Sequence, residues 1–143
     1  DTEGVNSNTL QLIENGILKN YLVDTYNGKK LNLLSNGRSG GTTNLYFENG
    51  NLSYEDLLKK NSKSLYITET IGHGSNLVTG DYSVGATGFL IEDGEFKYPV
   101  NEITIAGNFK DMFKNITLAN DLELEYSVNS PTMMIEGMTV AGK

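Results

Sequence analysis

The side chains best suited to chemistry lie in or beside one glycine-rich stretch, residues 72–88. Five of its seventeen residues are glycine, and it holds the only histidine, His73. A histidine can serve as a general base or a metal ligand, and two serines, Ser75 and Ser83, follow it closely. No Gly-x-Ser-x-Gly elbow is present, so a hydrolase that pairs His73 with a serine is an alternative without a specific motif.

Two carboxylates offer a second alternative. Leu65, Ile67 and Glu69 alternate along a predicted strand and are expected on one face, which places Glu69 in a core or a cavity. With Asp81 it could form an acid–base pair of the kind that hydrolyses glycosides. Sequence alone gives no distance between the two groups.

Metal and phosphate sites find less support. The chain has one histidine and no cysteine, whereas zinc sites usually take at least three protein ligands from these types and carboxylates. His73 and Asp81 alone would be an incomplete set. No Gly-x-Gly-x-x-Gly or P-loop ending is present either, so we expect no metal or nucleotide in this chain.

The composition of the chain narrows the remaining classes of function and location. The 143-residue chain carries a net charge of −7 with a single arginine, Arg38, so we expect no direct nucleic-acid binding. No apolar run is long enough to span a membrane, and the lack of cysteine fits a cytoplasmic protein. The length of residues 1–143 fits a single domain. Because the chain opens on Asp1 without a methionine, we expect it to be excised from the C-terminal end of a longer protein.

The predicted elements are short strands joined by tight turns. Asn15-Gly16 and Asp93-Gly94 predict two-residue hairpins, and residues 35–43 read as a loop. Predicted strands cover residues 8–14, 17–24, 44–48, 65–71, 88–92, 95–100, 103–107 and 132–140. Residues 26–34 are ambiguous between helix and loop.

Two helices are predicted from their capping residues. Ser53 begins one, and Asn108 begins another whose apolar face runs from Phe109 to Ile116 and which ends at residues 120–121. The fold class is therefore mainly β, α+β by content. We expect a curled or barrel-like, mostly antiparallel sheet with about two short helices.

The glycine-rich stretch also predicts a binding surface, since glycine lets another chain approach the backbone closely. An extended peptide could add there as a strand if the stretch forms a sheet edge. For Asp81 and Tyr82 the alternative is structural, with the aspartate bonding loop N–H groups and the tyrosine packing on the sheet. The interface or peptide-contact candidates are His73, Asn76, Thr79, Gly80, Asp81, Tyr82, Gly85 and Gly88.

Several longer motifs resemble one known family. They are Asn-Leu-Val-Thr-Gly-Asp-Tyr-Ser at 76–83, Gly-Ala-Thr-Gly-Phe at 85–89, Tyr-Pro-Val-Asn-Glu-Ile-Thr-Ile-Ala-Gly-Asn-Phe-Lys-Asp-Met at 98–112, and Met-Thr-Val-Ala-Gly at 138–142. Together with Ile-Glu-Asn-Gly-Ile-Leu-Lys at 13–19, they resemble the TldD/PmbA family nearly end to end. The resemblance is to the C-terminal domain of its PmbA (TldE) branch.

This resemblance implies a function. TldD-type and PmbA-type chains form a two-subunit metallopeptidase that acts on small, unstructured peptides, and the family label "modulator of DNA gyrase" describes an indirect effect. The metal-bearing subunit has an upstream His-Glu-x-x-x-His motif and a C-terminal cysteine ligand, neither of which is in this sequence. The resemblance thus implies a non-catalytic subunit with a TldD-like partner, which would hold the zinc. A homodimer of the isolated chain and a purely structural interaction module are further alternatives.

Overall fold

A computed structural model describes residues 1–142, which form ten strands and three short helices. The strands are β1 (Ile13–Glu14), β2 (Ile17–Leu18), β3 (Leu45–Tyr46), β4 (Lys63–Ile71), β5 (Asp81–Glu92), β6 (Glu95–Asn108), β7 (Ile116–Leu118), β8 (Val128–Asn129), β9 (Met133–Ile135) and β10 (Thr139–Ala141). The helices are α1 (Thr25–Leu31), α2 (Tyr54–Lys59) and α3 (Phe109–Met112). The mainly β, antiparallel prediction is confirmed, with one more helix than expected.

One four-stranded antiparallel sheet dominates, with the order β10-β6-β5-β4. The remaining strands form two-stranded pairs, β1 with β2, β3 with β8, and β7 with β9. Contacts divide the chain into two compact units. One comprises residues 1–45 and 126–128, and the other comprises residues 46–125 and 129–142. The prediction of a single domain stays a prediction.

Both two-residue hairpins form as their sequences predict. Asn15 and Gly16 have φ values of 50° and 76°, and Asp93 and Gly94 have 52° and 82°. Positive φ at both central residues gives the turn a twist that matches the flanking strands, and asparagine, aspartate and glycine tolerate it best. The Asp93-Gly94 turn joins β5 to β6, the two longest strands.

The first hairpin is much shorter than predicted. Pairing is confined to Ile13 opposite Leu18 and Glu14 opposite Ile17, so the strands expected over 8–14 and 17–24 are mostly absent. Residues 25–31 form α1 instead, where Asp24 accepts a hydrogen bond from the Asn27 N–H at 2.6 Å. An N-cap of this kind satisfies a donor that the first helical turn leaves free.

The core of the second unit lies on one face of the large sheet. Val84, Ala86, Ile103 and Ile105 are buried and pack with partly buried neighbours, which include Leu65 and Ile67. These cross-strand neighbours come from β4, β5 and β6, so apolar burial sets the register of all three strands. Elements of this unit also line a groove of about 1080 Å³.

Glu69 does not share the core face, so its predicted placement beside Leu65 and Ile67 is wrong. A bulge shifts the register between Ile67 and Glu69, after which Glu69 lies opposite Thr87. Ile67 lies opposite Gly88, so the extra residue reverses the alternation. Glu69 is exposed.

The last predicted elements also differ. The predicted strands at 88–92 and 103–107 are parts of the longer β5 and β6. Helix α3 has only four residues, because the chain turns at residues 113–115 and Ile116 begins β7. Residues 132–140 form two strands rather than one, since Gly137 takes a φ of 80° between them.

Strand β6 is irregular along half of its outer edge. Strand β10 pairs only with residues 104–106. Within residues 1–142, no strand pairs with residues 95–103 on the side away from β5. This half contains Pro99 and two register shifts, and Glu102 adopts a φ of 54° at one of them. No helix among the described residues is long and apolar enough to cross a membrane.

Candidate functional site

The glycine-rich stretch divides into a loop and a central strand. Residues 72–80 form a loop, and Asp81 begins β5. The loop returns along β5, because Ser75 bridges Tyr82 and the Ser83 N–H donates to the Gly74 carbonyl oxygen at 2.8 Å. A Cβ at Gly74 would overlap that strand, so glycine permits the close return.

A compact turn over residues 76–81, here called the 76–81 turn, closes this loop. The Asn76 N–H donates to the Asp81 carbonyl oxygen, and the Gly80 N–H donates to the Asn76 carbonyl oxygen, both at 2.8 Å. The Asn76 side-chain oxygen accepts from the N–H groups of Val78 at 3.0 Å and Thr79 at 3.2 Å. Asparagine commonly fixes turns through such local bonds.

Asn108 ties the turn to the end of β6. Its side-chain amide donates to the Thr79 carbonyl oxygen at 3.2 Å and to the Asp81 carboxylate at 3.1 Å. Gly80 has a φ of 83°, and a Cβ there would lie 3.1 Å from the Asn108 side-chain oxygen. A side chain at Gly80 would therefore strain the backbone and press on Asn108.

Three aromatic rings, of Tyr82, Phe109 and Phe113, pack in a row beside the 76–81 turn. The Phe109 N–H donates to the Gly80 carbonyl oxygen at 2.8 Å. Its ring lies 5.6 Å from Tyr82 and 5.9 Å from Phe113, centroid to centroid. Tyr82 is half-buried in this row, as the structural alternative for it predicted, while Phe113 is 60% exposed.

The turn holds two aliphatic side chains in solvent. Leu77 is 87% exposed and Val78 is 95% exposed, and together they are called the apolar tip here. Single exposed apolar residues are common on protein surfaces, but two adjacent ones on a hydrogen-bonded turn expose apolar area at a defined place. The 76–81 turn therefore has the form of a protruding contact element.

Gly85 and Gly88 lie elsewhere in the sheet. Both belong to β5, which is paired with β4 on one side and β6 on the other. The condition for adding a peptide strand here, that this part of the stretch forms a sheet edge, is therefore not met. Gly88 is buried, and a Cβ there would overlap the Tyr66 carbonyl oxygen of β4. His73, Asn76, Thr79 and Asp81 are exposed in or beside the loop.

The Asp81 carboxylate stabilises the turn when it is ionised. The Thr79 hydroxyl donates to it at 2.7 Å and Asn108 at 3.1 Å, and these bonds lower the pKa of Asp81 from its ordinary value of 3.8. A carboxyl with a lowered pKa in the folded state contributes stability above its ordinary pKa, and that contribution disappears as pH falls through the lowered value.

We therefore expect the 76–81 turn to loosen in the pH window below 3.8, the ordinary pKa of this carboxyl, as the pH falls through the lowered pKa of Asp81. NMR amide shifts of Val78 and Thr79 should follow a single titration in this window. In Asp81→Asn the same amides should lose that titration, since the group is gone. Unchanged wild-type shifts over the window would contradict the role assigned to the carboxylate.

The glycosidase alternative does not fit the geometry. Glu69 lies opposite Thr87, six residues along β5 from Asp81. At about 3.3 Å per residue this is roughly 20 Å along the strand. Glycosidase carboxylates lie about 5 to 10 Å apart, so Glu69 and Asp81 are too far apart to act on one bond.

The serine and metal alternatives gain no support either. Within residues 1–142 no hydrogen bond joins the His73 ring to Ser75 or Ser83. The same residues hold no group of three or more histidine, cysteine, aspartate or glutamate side chains that could bind a metal ion. The donor set of this chain does not fit a zinc ion, whose sites need several such ligands.

The loop and the long β5–β6 hairpin both lie within a match to a known protein family. The family model for the PmbA/TldA metallopeptidase C-terminal domain matches residues 1–142. The chain belongs to this family. The resemblance noted from the motifs is thereby confirmed at the level of the family.

Relatives of this PmbA/TldA chain carry both PmbA and TldD names, and two of the PmbA type illustrate the match. The chain is 45% identical over 144 residues to a metalloprotease PmbA homologue from Buchnera aphidicola subsp. Baizongia pistaciae, covering 99% of this chain and 32% of that protein. It is 43% identical over 144 residues to metalloprotease PmbA from Escherichia coli O157:H7, covering 100% and 32% respectively. The chain therefore spans about a third of the length of the curated relatives it matches.

A solved structure shares the fold of this PmbA/TldA chain. A Thermotoga maritima protein named for modulation of a DNA gyrase matches with a TM-score of 0.90 and 34% identity. The match covers 99% of this chain and 35% of that one. The likeness therefore extends over both compact units and is limited to about a third of the longer protein.

Sequence reasoning missed two parts of this site. Leu77 and Val78 were not among the candidates, although an apolar pair between Asn76 and Gly80 is unusual in a turn composition. Asn108 was recognised as a helix cap, and it does accept from the Lys110 N–H at 3.1 Å. Its second role, holding the turn, depends on the pairing of Asp81 with Asn108 across β5 and β6, which sequence does not show.

Proposed function

We propose that this chain is the C-terminal domain of the supporting, non-catalytic subunit of a two-subunit metallopeptidase that processes small, unstructured peptides. The observation that carries the proposal is the apolar tip on the 76–81 turn. A tip that is almost entirely exposed and rigidly held suits contact with another protein chain. An aliphatic side chain held on a fixed element can serve as an interface anchor, although tryptophan, tyrosine and arginine are the more common anchors in natural interfaces.

The same proposal assigns the chemistry to a partner. A TldD-like subunit would hold the zinc ion and cleave the peptide, since this chain has one histidine and no cysteine. The exposed contact candidates His73, Asn76, Thr79 and Asp81 would line the partner or peptide side of the loop. Gly80 would let the turn adopt its shape, and Tyr82, Gly85 and Gly88 would support it from β5.

The test is peptide cleavage by a TldD-like subunit with and without the full-length protein that contains this chain. We expect cleavage of an unstructured peptide only when both are present, and loss of cleavage when zinc is removed by a chelator. A structured protein of similar length should resist. Zinc-dependent cleavage by the TldD-like subunit alone at an unchanged rate would contradict the supporting role.

Two further outcomes separate the alternatives. Turnover of peptide by this protein alone after metal removal would favour a self-sufficient hydrolase over a supporting subunit. Binding to the partner without any change in its turnover would indicate a purely structural interaction module. Co-elution of the two proteins in size-exclusion chromatography distinguishes this last outcome from failure to bind.

A further inference from the structure

Four asparagine–glycine pairs occur in the chain, at residues 15–16, 27–28, 36–37 and 49–50. In such a pair the backbone nitrogen of the glycine can attack the side-chain amide carbon of the asparagine, because glycine has no Cβ to obstruct the approach. We propose that Asn15 is a site of spontaneous deamidation in the folded protein, whereas the fold protects Asn27, Asn36 and Asn49. This inference is independent of the proposed function.

The reaction needs only water as a co-reactant. The Gly16 nitrogen gives up its proton and bonds to the Asn15 Cγ, and the Cγ–Nδ2 bond breaks as ammonia leaves, which yields a five-membered succinimide. Water then opens this ring at either carbonyl carbon. One product has aspartate at position 15, and the other has isoaspartate, in which the backbone runs through the former side chain. Overall an amide and water become a carboxylate and ammonium, with no oxidation or reduction.

Both reacting groups of Asn15 are free. Asn15 and Gly16 are exposed, and within residues 1–142 neither the Asn15 side chain nor the Gly16 N–H makes a hydrogen bond. The hairpin that holds them has strands of only two residues each. Isolated hairpins of this size are marginally stable in water, so the turn can open to conformations in which the nitrogen reaches the Cγ.

Asn27 lies in α1, where its side-chain amide donates to the Asp24 carboxylate at 3.1 Å. The N–H of the buried Gly28 donates to the Asp24 carbonyl oxygen at 2.9 Å, so the attacking nitrogen is fixed.

Asn36 is held at both ends of its amide. Its oxygen accepts from the Val23 N–H at 3.0 Å, and its nitrogen donates to the Tyr21 carbonyl oxygen at 2.7 Å. The following residue, Gly37, is buried. Attack there would require these bonds to break and a buried segment to rearrange.

Asn49 is protected by hydrogen bonds of both the Gly50 backbone and its own side chain. The Gly50 N–H donates to the Ala119 carbonyl oxygen at 2.7 Å, so the attacking nitrogen and its proton are fixed. The Asn49 side-chain oxygen accepts from the Leu122 N–H at 2.9 Å. Although Asn49 is exposed like Asn15, its reacting groups are not free.

The modification would change the local structure. Each event adds one negative charge beside Glu14 to a chain that already carries a net charge of −7. Isoaspartate also adds a carbon atom to the backbone of a turn that needs positive φ at both central residues. The pairing of Glu14 with Ile17 would then be lost, and with it the hairpin.

The experiment compares the four sites in one molecule. The purified protein is held at mildly alkaline pH, folded in buffer and unfolded in urea, and peptide mapping by mass spectrometry follows each asparagine. We expect Asn15 to react at similar rates in both conditions. The three protected sites, Asn27, Asn36 and Asn49, should react at least about tenfold more slowly when folded, as expected where structural opening costs more than about 1.4 kcal/mol.

Isoaspartate-specific methyl labelling should mark the Asn15 peptide of the folded protein. Asn15→Asp supplies the mass and charge reference, and Asn15→Gln should abolish the signal because its longer side chain does not form this ring. Equal protection of all four sites in the folded protein, or faster reaction at Asn27, Asn36 or Asn49 than at Asn15, would overturn the proposal.

Discussion

Replacing Leu77 and Val78 with serine in the full-length protein should weaken its binding to a TldD-like partner by roughly 30- to 1000-fold. Truncation of a central interface anchor typically costs about 2 to 4 kcal/mol, and each 1.4 kcal/mol changes the dissociation constant about tenfold. The two residues are 87% and 95% exposed, so their replacement should barely change the free energy of unfolding. Titration calorimetry or surface plasmon resonance measures the affinity.

The matched control is an exposed leucine away from the turn. Leu34 is 91% exposed, and Leu34→Ser removes a comparable apolar side chain. We expect this variant to bind the partner with wild-type affinity. If Leu34→Ser and the tip variant lose affinity equally, or if neither does, the apolar tip is not the contact element.

Replacing Gly88 with alanine should destabilise the protein by about 3 kcal/mol or more, the upper part of the range for overpacked positions. The added Cβ would overlap the carbonyl oxygen of Tyr66 on β4, the strand paired with this part of β5. The obstructing atom belongs to the backbone of β4, so it cannot move away without breaking the ladder between Ile67 and Gly88. Chemical denaturation monitored by circular dichroism measures the change.

Gly85 provides the control in the same strand. A Cβ at Gly85 would meet the Ile71 side chain at 3.6 Å, an ordinary van der Waals distance. Gly85→Ala should therefore leave the unfolding free energy unchanged, or raise it by about 0.4 to 1 kcal/mol through lower entropy of the unfolded chain. Equal losses in the two variants would show that close packing of β4 is not what requires Gly88.

Local chemistry predicted the turns and caps well. Asn15-Gly16 and Asp93-Gly94 are read directly from the φ preferences of their residues, and Ser53 and Asn108 from their ability to accept first-turn N–H groups. These signals depend on neighbours within a few residues of the chain. They are therefore visible without knowledge of the fold.

Features that depend on distant partners were predicted poorly. Within residues 1–142, residues 8–12 have strand-like sequence but lack a ladder partner. Residues 95–108 form one strand, but the prediction divided them because Pro99 and the bulge near Glu102 interrupt the alternation. The face of Glu69 was wrong for the same reason, since one extra residue reverses a period-two pattern.

In the candidate site too, the features set by neighbouring residues were predicted and those set by distant strands were not. The glycine-rich composition located the loop, and Asn76, Thr79, Gly80 and Asp81 do form its turn. Composition did not distinguish a glycine that shapes a turn from one that lets two strands approach, as Gly88 does. Only the strand order, with β5 in the interior of the sheet, separates these roles.

The irregular half of β6, residues 95–103, should hinder aggregation through strand pairing. A straight, unpaired strand edge is a template on which another molecule can add by backbone pairing. Over residues 95–103 Pro99 lacks an N–H to offer and the bulge at Glu102 bends the strand, so an incoming chain would meet an interrupted row of bonds. The regular part of the same strand, residues 104–106, is the part that β10 covers. The interrupted bonds and the cover from β10 therefore make the β6 side of the sheet a poor template for further copies, whereas β4 forms its other edge.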